Sequence, residues 1–196
     1  SILVLLWSAV CAGSSPWDVS IRNGGVSGKI IQPKSKDYAE RSIQYGGSIF
    51  GASINKTLAQ DLDVFLEPSI LIDAKLGQMT RQALHTGLRY YLHGSSPFFH
   101  KQGKHISYQS RSDFGLSANL KAGMNYLAIT SKIDANDKVA GSIADILIGL
   151  NIFSKIADST FLGGELFSSI RNYASSVDGL QSSGIEGSLY IRLVIQ

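Results

Sequence analysis

Only one of the 196 residues is a cysteine, Cys11, so the chain cannot form a disulfide bond within itself. CxxC pairs and His/Cys zinc patterns are also missing from the sequence. A chain of this length can bury a sizeable core without a disulfide scaffold. We therefore expect a single domain that needs neither cross-links nor structural zinc.

Charged residues are scarce too: they make up 17% of the chain, against about 25% in typical soluble domains. The 18 Lys and Arg residues exceed the 15 Asp and Glu residues by only +3, and they form no dense basic stripe. Nucleic-acid binding usually needs a concentrated basic surface. The composition therefore predicts no nucleic-acid partner.

Long hydrophobic runs are the third absence, because no stretch approaches the roughly 18 apolar residues of a membrane helix. The chain nevertheless has 20 glycines and a mean hydropathy of +0.08, which is unusual for a soluble protein. An even alternation of apolar and polar residues produces such values. A helical membrane protein is excluded, whereas a membrane protein built from strands is not.

The first residues have the pattern of a targeting segment. An apolar run at residues 2–7 precedes small residues around Ala12, as in the h-region and cleavage site of a secretory signal peptide. We therefore predict a signal peptide over residues 1–12, truncated at its start, and one domain over residues 13–196. Lipidation of Cys11 and a buried N-terminal strand are the alternatives.

From Trp17 onward the chain alternates with a period of two, which indicates long strands with two different faces. The clearest case is 114–128, where one face is apolar and the other carries Gly, Ser, Asn and Lys121. The eight alternating segments lie at residues 17–31, 43–56, 62–74, 83–92, 114–128, 142–153, 160–173 and 184–195. A bulge is expected at Gly24–Gly25, and 142–153 could instead form a helix.

Pairing arithmetic suggests what the polar face contains. A hairpin centred on Gln78 places Glu67 opposite Arg89 and Asp63 opposite His93, and a hairpin centred on Ile156 places Leu150 opposite Leu162. Carboxylates then face bases among small residues, which suits a crowded interior better than a solvated surface. The sequence therefore predicts an apolar outer face and a polar inner face.

These segments resemble the eight-stranded outer-membrane barrels of the OmpA/OmpX type, over nearly the whole chain from Trp17. The resemblance implies an all-β, closed, antiparallel, up-and-down transmembrane barrel in the bacterial outer membrane. One departure is the long stretch 94–110 after the fourth segment, where a short turn is expected. A strand beginning near Lys104 would shorten it.

In such a barrel the charged residues of the polar face are expected to form an internal, structural ion-pair network that plugs the lumen. The predicted members are Asp63, Glu67, Arg89, His93, Lys121, Asp145, Glu165, Arg171, Glu186 and Arg192. Four lysines in the connections, Lys34, Lys36, Lys101 and Lys104, are candidates for contact with lipopolysaccharide phosphates, with solvated loops as the default expectation. No cofactor is expected.

Two features suggest chemistry. His85, His93, His100 and His105 fall within 21 positions, but the spacing does not bring them together, so we expect no metal site. His93-Gly94-Ser95 is similar to the His-x-Ser element of barrel-borne lipid A deacylases. That family's next Asn is Ser96 here and its downstream Glu is missing.

The expected function is therefore non-enzymatic, with a structural or adhesion-like surface role exerted through the loops. The expected partners are lipopolysaccharide, the barrel-assembly machinery, and a host or envelope protein. A secreted lipocalin-like barrel that binds a small ligand is the alternative, and the His93/Ser95 deacylase is a lesser one.

Overall fold

The computed structural model describes residues 17–32, 41–73, 79–95, 100–102, 107–109, 112–130, 138–176 and 180–195. Within these ranges no helix is long and apolar enough to cross a membrane. The predicted signal peptide, with Cys11, lies outside the described residues and stays a prediction. The ten strands are β1 (Trp17–Gln32), β2 (Arg41–Ala59), β3 (Leu62–Asp73), β4 (Met79–His93), β5 (His100–Gln102), β6 (Ser107–Gln109), β7 (Phe114–Thr130), β8 (Lys138–Ala157), β9 (Thr160–Ser175) and β10 (Gln181–Ile195).

Eight of these strands form one closed antiparallel barrel in the order β1-β10-β9-β8-β7-β4-β3-β2. The first strand pairs with the last, so the barrel has no open edge along the β1–β10 contact, which extends from Trp17↔Ile195 to Ile31↔Gln181. The predicted fold class and number of barrel strands are confirmed. The ambiguous segment 142–153 lies within strand β8, as its period of two indicated.

The two ends of the barrel differ in their connections. Trp17, Ile195 and the tight turns at 60–61 and 158–159 lie at one end, which we call the terminus end. At the other end, which we call the loop end, β1, β3, β7 and β9 end and the strands that follow them in the barrel begin.

The long connection between β4 and β7 also lies at the terminus end, as the sequence suggested. The expectation that a strand near Lys104 would shorten it is wrong. The strands in this stretch, β5 and β6, pair with each other in a separate two-stranded sheet and do not join the barrel.

The predicted register of the β3–β4 hairpin is displaced by four residues. Glu67 lies opposite His85 instead of Arg89, and Asp63 lies opposite Arg89 instead of His93. The observed centre of the hairpin lies at position 76, two residues before Gln78. Moving the centre by one residue changes the partner of each residue by two positions, so the partners differ by four.

The β8–β9 hairpin is displaced by four residues in the opposite direction, because its turn lies at 158–159. Leu150 pairs with Leu166 instead of Leu162. Since the displacement is an even number, every side chain keeps its face. The two faces were therefore predicted correctly although the partners were not.

The bulge expected at Gly24–Gly25 does not occur, because β1 pairs with β10 and β2 without a register shift along its described length. Instead the polarity of the two faces is exchanged. Below the glycines Arg22 points inward and Ile21 outward, whereas above them Val26 points inward and Ser27 outward. Toward the loop end the interior of the barrel is apolar. The inward residues of β1 therefore change from polar to apolar there, and the strand needs no bulge.

Candidate functional site: the charged interior of the barrel

The barrel has an apolar outer surface and a charged interior. Leu189 on the outer face is 68% exposed, whereas Lys121 on the inner face is 0% exposed. Other outward side chains of the same kind are Ile21, Phe50, Ile70, Leu84, Leu88, Leu120, Met124, Ile148, Leu150, Leu166 and Ile191. This is the reverse of a water-soluble barrel, and it matches a barrel that contacts lipid.

A cluster of charges around Arg192 lies inside the barrel near the terminus end. The Arg192 guanidinium donates from Nε to Asp18 Oδ1 at 2.5 Å and from Nη2 to Asp63 Oδ2 at 2.9 Å. The Tyr91 hydroxyl donates to the same Asp63 oxygen at 2.6 Å and accepts a hydrogen bond from Arg192 Nη1. Strands β1, β3, β4 and β10 are thereby joined through one cation.

Aromatic rings pack beside this cluster. Phe153 contacts Tyr91 edge-on at 5.9 Å between ring centroids and Phe161 at 5.7 Å. Arg89 lies over the rings of Phe65 and Tyr190, 5.4 and 6.0 Å from their centroids. The interior near the terminus end is therefore filled by rings and by charges stacked on them.

The middle of the barrel holds a second cluster around Lys121. The Lys121 ammonium donates to Glu67 at 2.9 Å and to Glu186 at 3.2 Å, and it lies 3.9 Å from the centroid of the Phe167 ring. Arg22 contacts the carboxylates of Glu67 and Glu165, each at 2.5 Å. Carboxylates and cations alternate across the lumen, so each charge has at least one opposite neighbour.

Three further pairs complete the network. Arg81 pairs with Glu186 at 2.5 Å, and Arg89 lies 3.8 Å from Glu165. His85 Nε2 lies 3.0 Å from Asp145 Oδ1.

Closer to the loop end the interior becomes an apolar cluster. Its buried members are Val26, Ile30, Tyr45, Leu71, Leu127, Ile143 and Leu180.

The charges of the described interior nearly cancel. Five cations belong to the clusters described above, Arg22, Arg81, Arg89, Lys121 and Arg192, and the buried carboxylates number six, Asp18, Asp63, Glu67, Asp145, Glu165 and Glu186. A further buried cation, Lys56, lies over the Trp17 ring, 4.7 Å from its centroid. His85 contacts the sixth carboxylate, Asp145. Removing one partner of a buried pair costs about 3–5 kcal/mol, because an uncompensated charge remains. This arrangement fits a structural role for the network.

Inward-facing glycines make room for the large interior side chains. A Cβ atom built on Gly163 would lie 2.3 Å from the Tyr190 ring, and one on Gly115 would lie 2.3 Å from the Phe153 ring. A methyl group cannot occupy that space. The predicted use of glycine in a tight interior therefore holds at these positions.

Eight of the ten predicted network residues lie inside the barrel within 4.0 Å of an opposite charge or, for Asp145, of the His85 ring. They are Asp63, Glu67, Arg89, Lys121, Asp145, Glu165, Glu186 and Arg192. Their partners differ from those predicted. Asp63 and Glu67 reach across the lumen to Arg192, Arg22 and Lys121 instead of pairing along the β3–β4 hairpin.

His93 was wrongly placed in the network. A register shift between Tyr91 and His93 makes His93 pair with Leu116, an outward-facing residue, so its side chain is exposed. Its ring packs 5.9 Å from that of Phe114. One extra residue at a bulge reverses which face a side chain takes.

The other predicted residues lie outside what the structure describes. The side chains of Arg171 in β9 and Lys101 in β5 are not described, and neither are Lys34, Lys36 and Lys104. Their predicted roles stay predictions.

Four members of the network were not expected from the sequence: Asp18, Arg22, Arg81 and His85. Asp18 and Arg22 alternate with Val19 and Ile21 on β1, and this alternation was the signal that could have identified them. The expected bulge at Gly24–Gly25 obscured it.

The structure also shows the surroundings of the two elements that suggested chemistry. No group of three His, Cys, Asp or Glu side chains there is placed to hold a metal ion. The Ser95 hydroxyl lies 2.8 Å from the Ser112 hydroxyl, while the ring of His93 packs against Phe114.

Comparison with known proteins relates this fold to bacterial membrane proteins. No protein-family model and no curated protein matches the sequence. Neisserial surface protein A superposes with a TM-score of 0.54 at 8% identity, over 90% of this chain and 97% of that chain. The N-terminal barrel domain of Pseudomonas aeruginosa OprF gives 0.52 at 13% identity, over 91% and 97%.

The outer membrane protein OprG from Pseudomonas aeruginosa also gives a TM-score of 0.52, at 12% identity, over 93% of this chain and 95% of that chain. Identities this low relate the chains by fold only. Together with the closed barrel, the apolar outer surface and the charged interior, they show that this chain has the fold of the eight-stranded outer-membrane β-barrels.

Proposed function

We propose that this protein resides in a bacterial outer membrane as a non-enzymatic envelope or surface-interaction protein. The observation that carries the proposal is the distribution of polarity, with exposed Leu, Ile, Phe and Met outside and paired charges inside. This distribution is favourable in lipid. In water, each Å² of exposed apolar surface would cost about 25 cal/mol of free energy.

The interior is proposed to act as a plug that fixes the barrel. An eight-stranded barrel encloses a space that side chains can fill, and here ion pairs and aromatic rings occupy it. Recognition then belongs to the loop end, whose connections carry Lys34, Lys36, Lys75 and Lys132. A host or envelope protein is the proposed partner at this end, with lipopolysaccharide around it and the assembly machinery acting during insertion.

Membrane fractionation tests the location. We expect detergent, but not buffer, high salt or carbonate, to release the protein from washed membranes. The folded protein should also migrate differently before and after boiling on a gel. Release into buffer would overturn the proposal and favour the secreted lipocalin-like alternative. The described interior does not favour that alternative, because paired charges occupy it.

Protease treatment tests the orientation. Trypsin added to intact cells should cut at Lys34, Lys36, Lys75 or Lys132, whereas Lys101, Lys104 and Arg111 should be cut only after permeabilisation. Cutting at the second group in intact cells would reverse the proposed orientation.

The deacylase alternative has its own test. Mass spectra of lipid A from cells that express the protein should show the same acyl chains as spectra from cells that express Ser95→Ala. Loss of an acyl chain that depends on Ser95 would assign enzymatic activity to the His93/Ser95 element.

A further inference from the structure

The outer wall of the barrel is not uniformly apolar. On β7 every described outward residue from Phe114 to Ala128 is apolar or aromatic. On β1 the outward residues change after Ile21 to Asn23, Gly25, Ser27 and Lys29. The wall of β1 therefore turns polar well before β1 reaches the loop end.

The neighbouring strands extend this polar region into a groove. It has a volume of about 580 Å³. Its polar and small lining includes Ser27, Lys29, Gln44, Gly46, Ser168 and Ser183, from β1, β2, β9 and β10.

The groove lies where the described pairing between β9 and β10 ends. The described pairing of β9 with β10 ends at Ser168↔Ile185, although β9 continues to Ser175 against β8 and β10 continues to Gln181 against β1. Above that point the Asn172 amide donates to the Ser182 carbonyl at 2.7 Å. Backbone groups beyond the paired part of the two strands need other hydrogen-bond partners, which hydrocarbon cannot provide.

The charge of the groove indicates the type of partner. Lys29 is exposed, none of the groove-lining residues is a carboxylate, and no described acidic residue forms an ion pair with Lys29. A second copy related by a two-fold axis would bring the same lysine-bearing surface against itself. An anion surrounded by hydroxyl groups fits the lysine and the serines together.

We propose that this groove binds the phosphorylated sugar headgroup of an outer-leaflet lipid of the lipid A class. Lys29 contacts a phosphate, and the serines with the Gln44 amide contact sugar hydroxyls. The inference rests on the proposed outer-membrane location and adds a specific lipid site on the barrel wall, separate from the lysines of the loops.

The test measures the lipid that the purified, detergent-solubilised protein retains, by native mass spectrometry after addition of diphosphoryl lipid A. Gly46→Leu fills the groove from an outward position where a Cβ meets only ordinary contact, 3.5 Å from the Val26 carbonyl. Ala122→Leu on the opposite wall is the matched control.

We expect retention to fall about tenfold in Gly46→Leu and Lys29→Glu, and to persist in Ala122→Leu and Lys29→Arg. Equal retention in Gly46→Leu and Ala122→Leu would overturn the proposal. So would equal retention of phosphatidylglycerol, which would indicate an unspecific anion effect. A change from dimer to monomer in Gly46→Leu with unchanged lipid would assign the groove to contacts between copies.

Heat-dependent gel mobility checks that every variant is folded. It also separates the two proposals. If buffer alone releases the protein from washed membranes, the outer-membrane location is refuted. If the protein is folded and needs detergent for release but does not retain lipid A, only the proposed lipid site in the groove is refuted.

Discussion

Arg192 and Asp18 form a hydrogen-bonded ion pair, Nε to Oδ1 at 2.5 Å, although 174 positions separate them in the chain. Arg192 lies on the last strand and Asp18 on the first, and both side chains are 0–1% exposed. The pair therefore joins the two strands whose contact closes the barrel. The ion pair links the side chains of β1 and β10, whose backbones are paired as well.

Replacing Asp18 should weaken the closure of the barrel. We expect Asp18→Ala to lower the free energy of unfolding by about 3–5 kcal/mol, because Arg192 loses one of its two carboxylate partners. Urea titration in detergent, followed by the heat-dependent gel shift, measures this change. Asp61→Ala, at an exposed turn residue, is the control and should have little effect. Equal effects of the two substitutions would contradict a special role for the Arg192 pair.

The Lys121 cluster should show coupling between its members. A double-mutant cycle with Lys121→Met and Glu186→Gln is expected to give an interaction energy of about 0.5–3 kcal/mol, because the two groups are buried and lie 3.2 Å apart. The exposed Lys155–Asp158 pair, at 3.5 Å, should give about 0–1 kcal/mol. Additive effects at Lys121 and Glu186 would show that the interior charges do not act as a network.

Adjacent glycines on β9 should respond differently to the same substitution. Gly163 faces inward beneath Tyr190, so Gly163→Val should cost about 1–3 kcal/mol through overpacking. Gly164 faces outward, and a Cβ there would lie 3.4 Å from a Leu189 methyl group. Gly164→Val should therefore be tolerated better. The urea concentrations at the unfolding midpoints of the two variants measure the difference. A lower midpoint for Gly164→Val than for Gly163→Val would mean that the faces of β9 are misassigned.

Charges introduced on the outer wall should reveal where lipid contacts it. Leu120→Arg on β7 should cost about 2–4 kcal/mol, the range for an arginine near the bilayer midplane. Ser27→Arg on β1 should cost about 0–1 kcal/mol, because its surroundings are already polar. Unfolding in lipid vesicles measures both. A large penalty at Ser27 would place β1 fully within hydrocarbon and contradict the polar groove.

The faces of the strands could be predicted from the sequence because they depend only on a period of two. Lys121 alternates with Leu120 and Ala122, and this pattern is independent of which strand lies beside β7. Register errors of four residues left every such assignment intact. His93 shows the limit, since one bulged residue before it reversed its face.

The sequence by itself therefore determined that the chain forms eight long strands with an apolar and a polar face, because alternation is a local property. Only the tertiary structure decided which charges meet. Glu67 binds Arg22 and Lys121, and Asp18 binds Arg192, once closure brings distant strands around one lumen. Strand pairing orders neighbours along a hairpin, but ion pairs form across the interior, and their partners depend on the curvature and closure of the whole barrel.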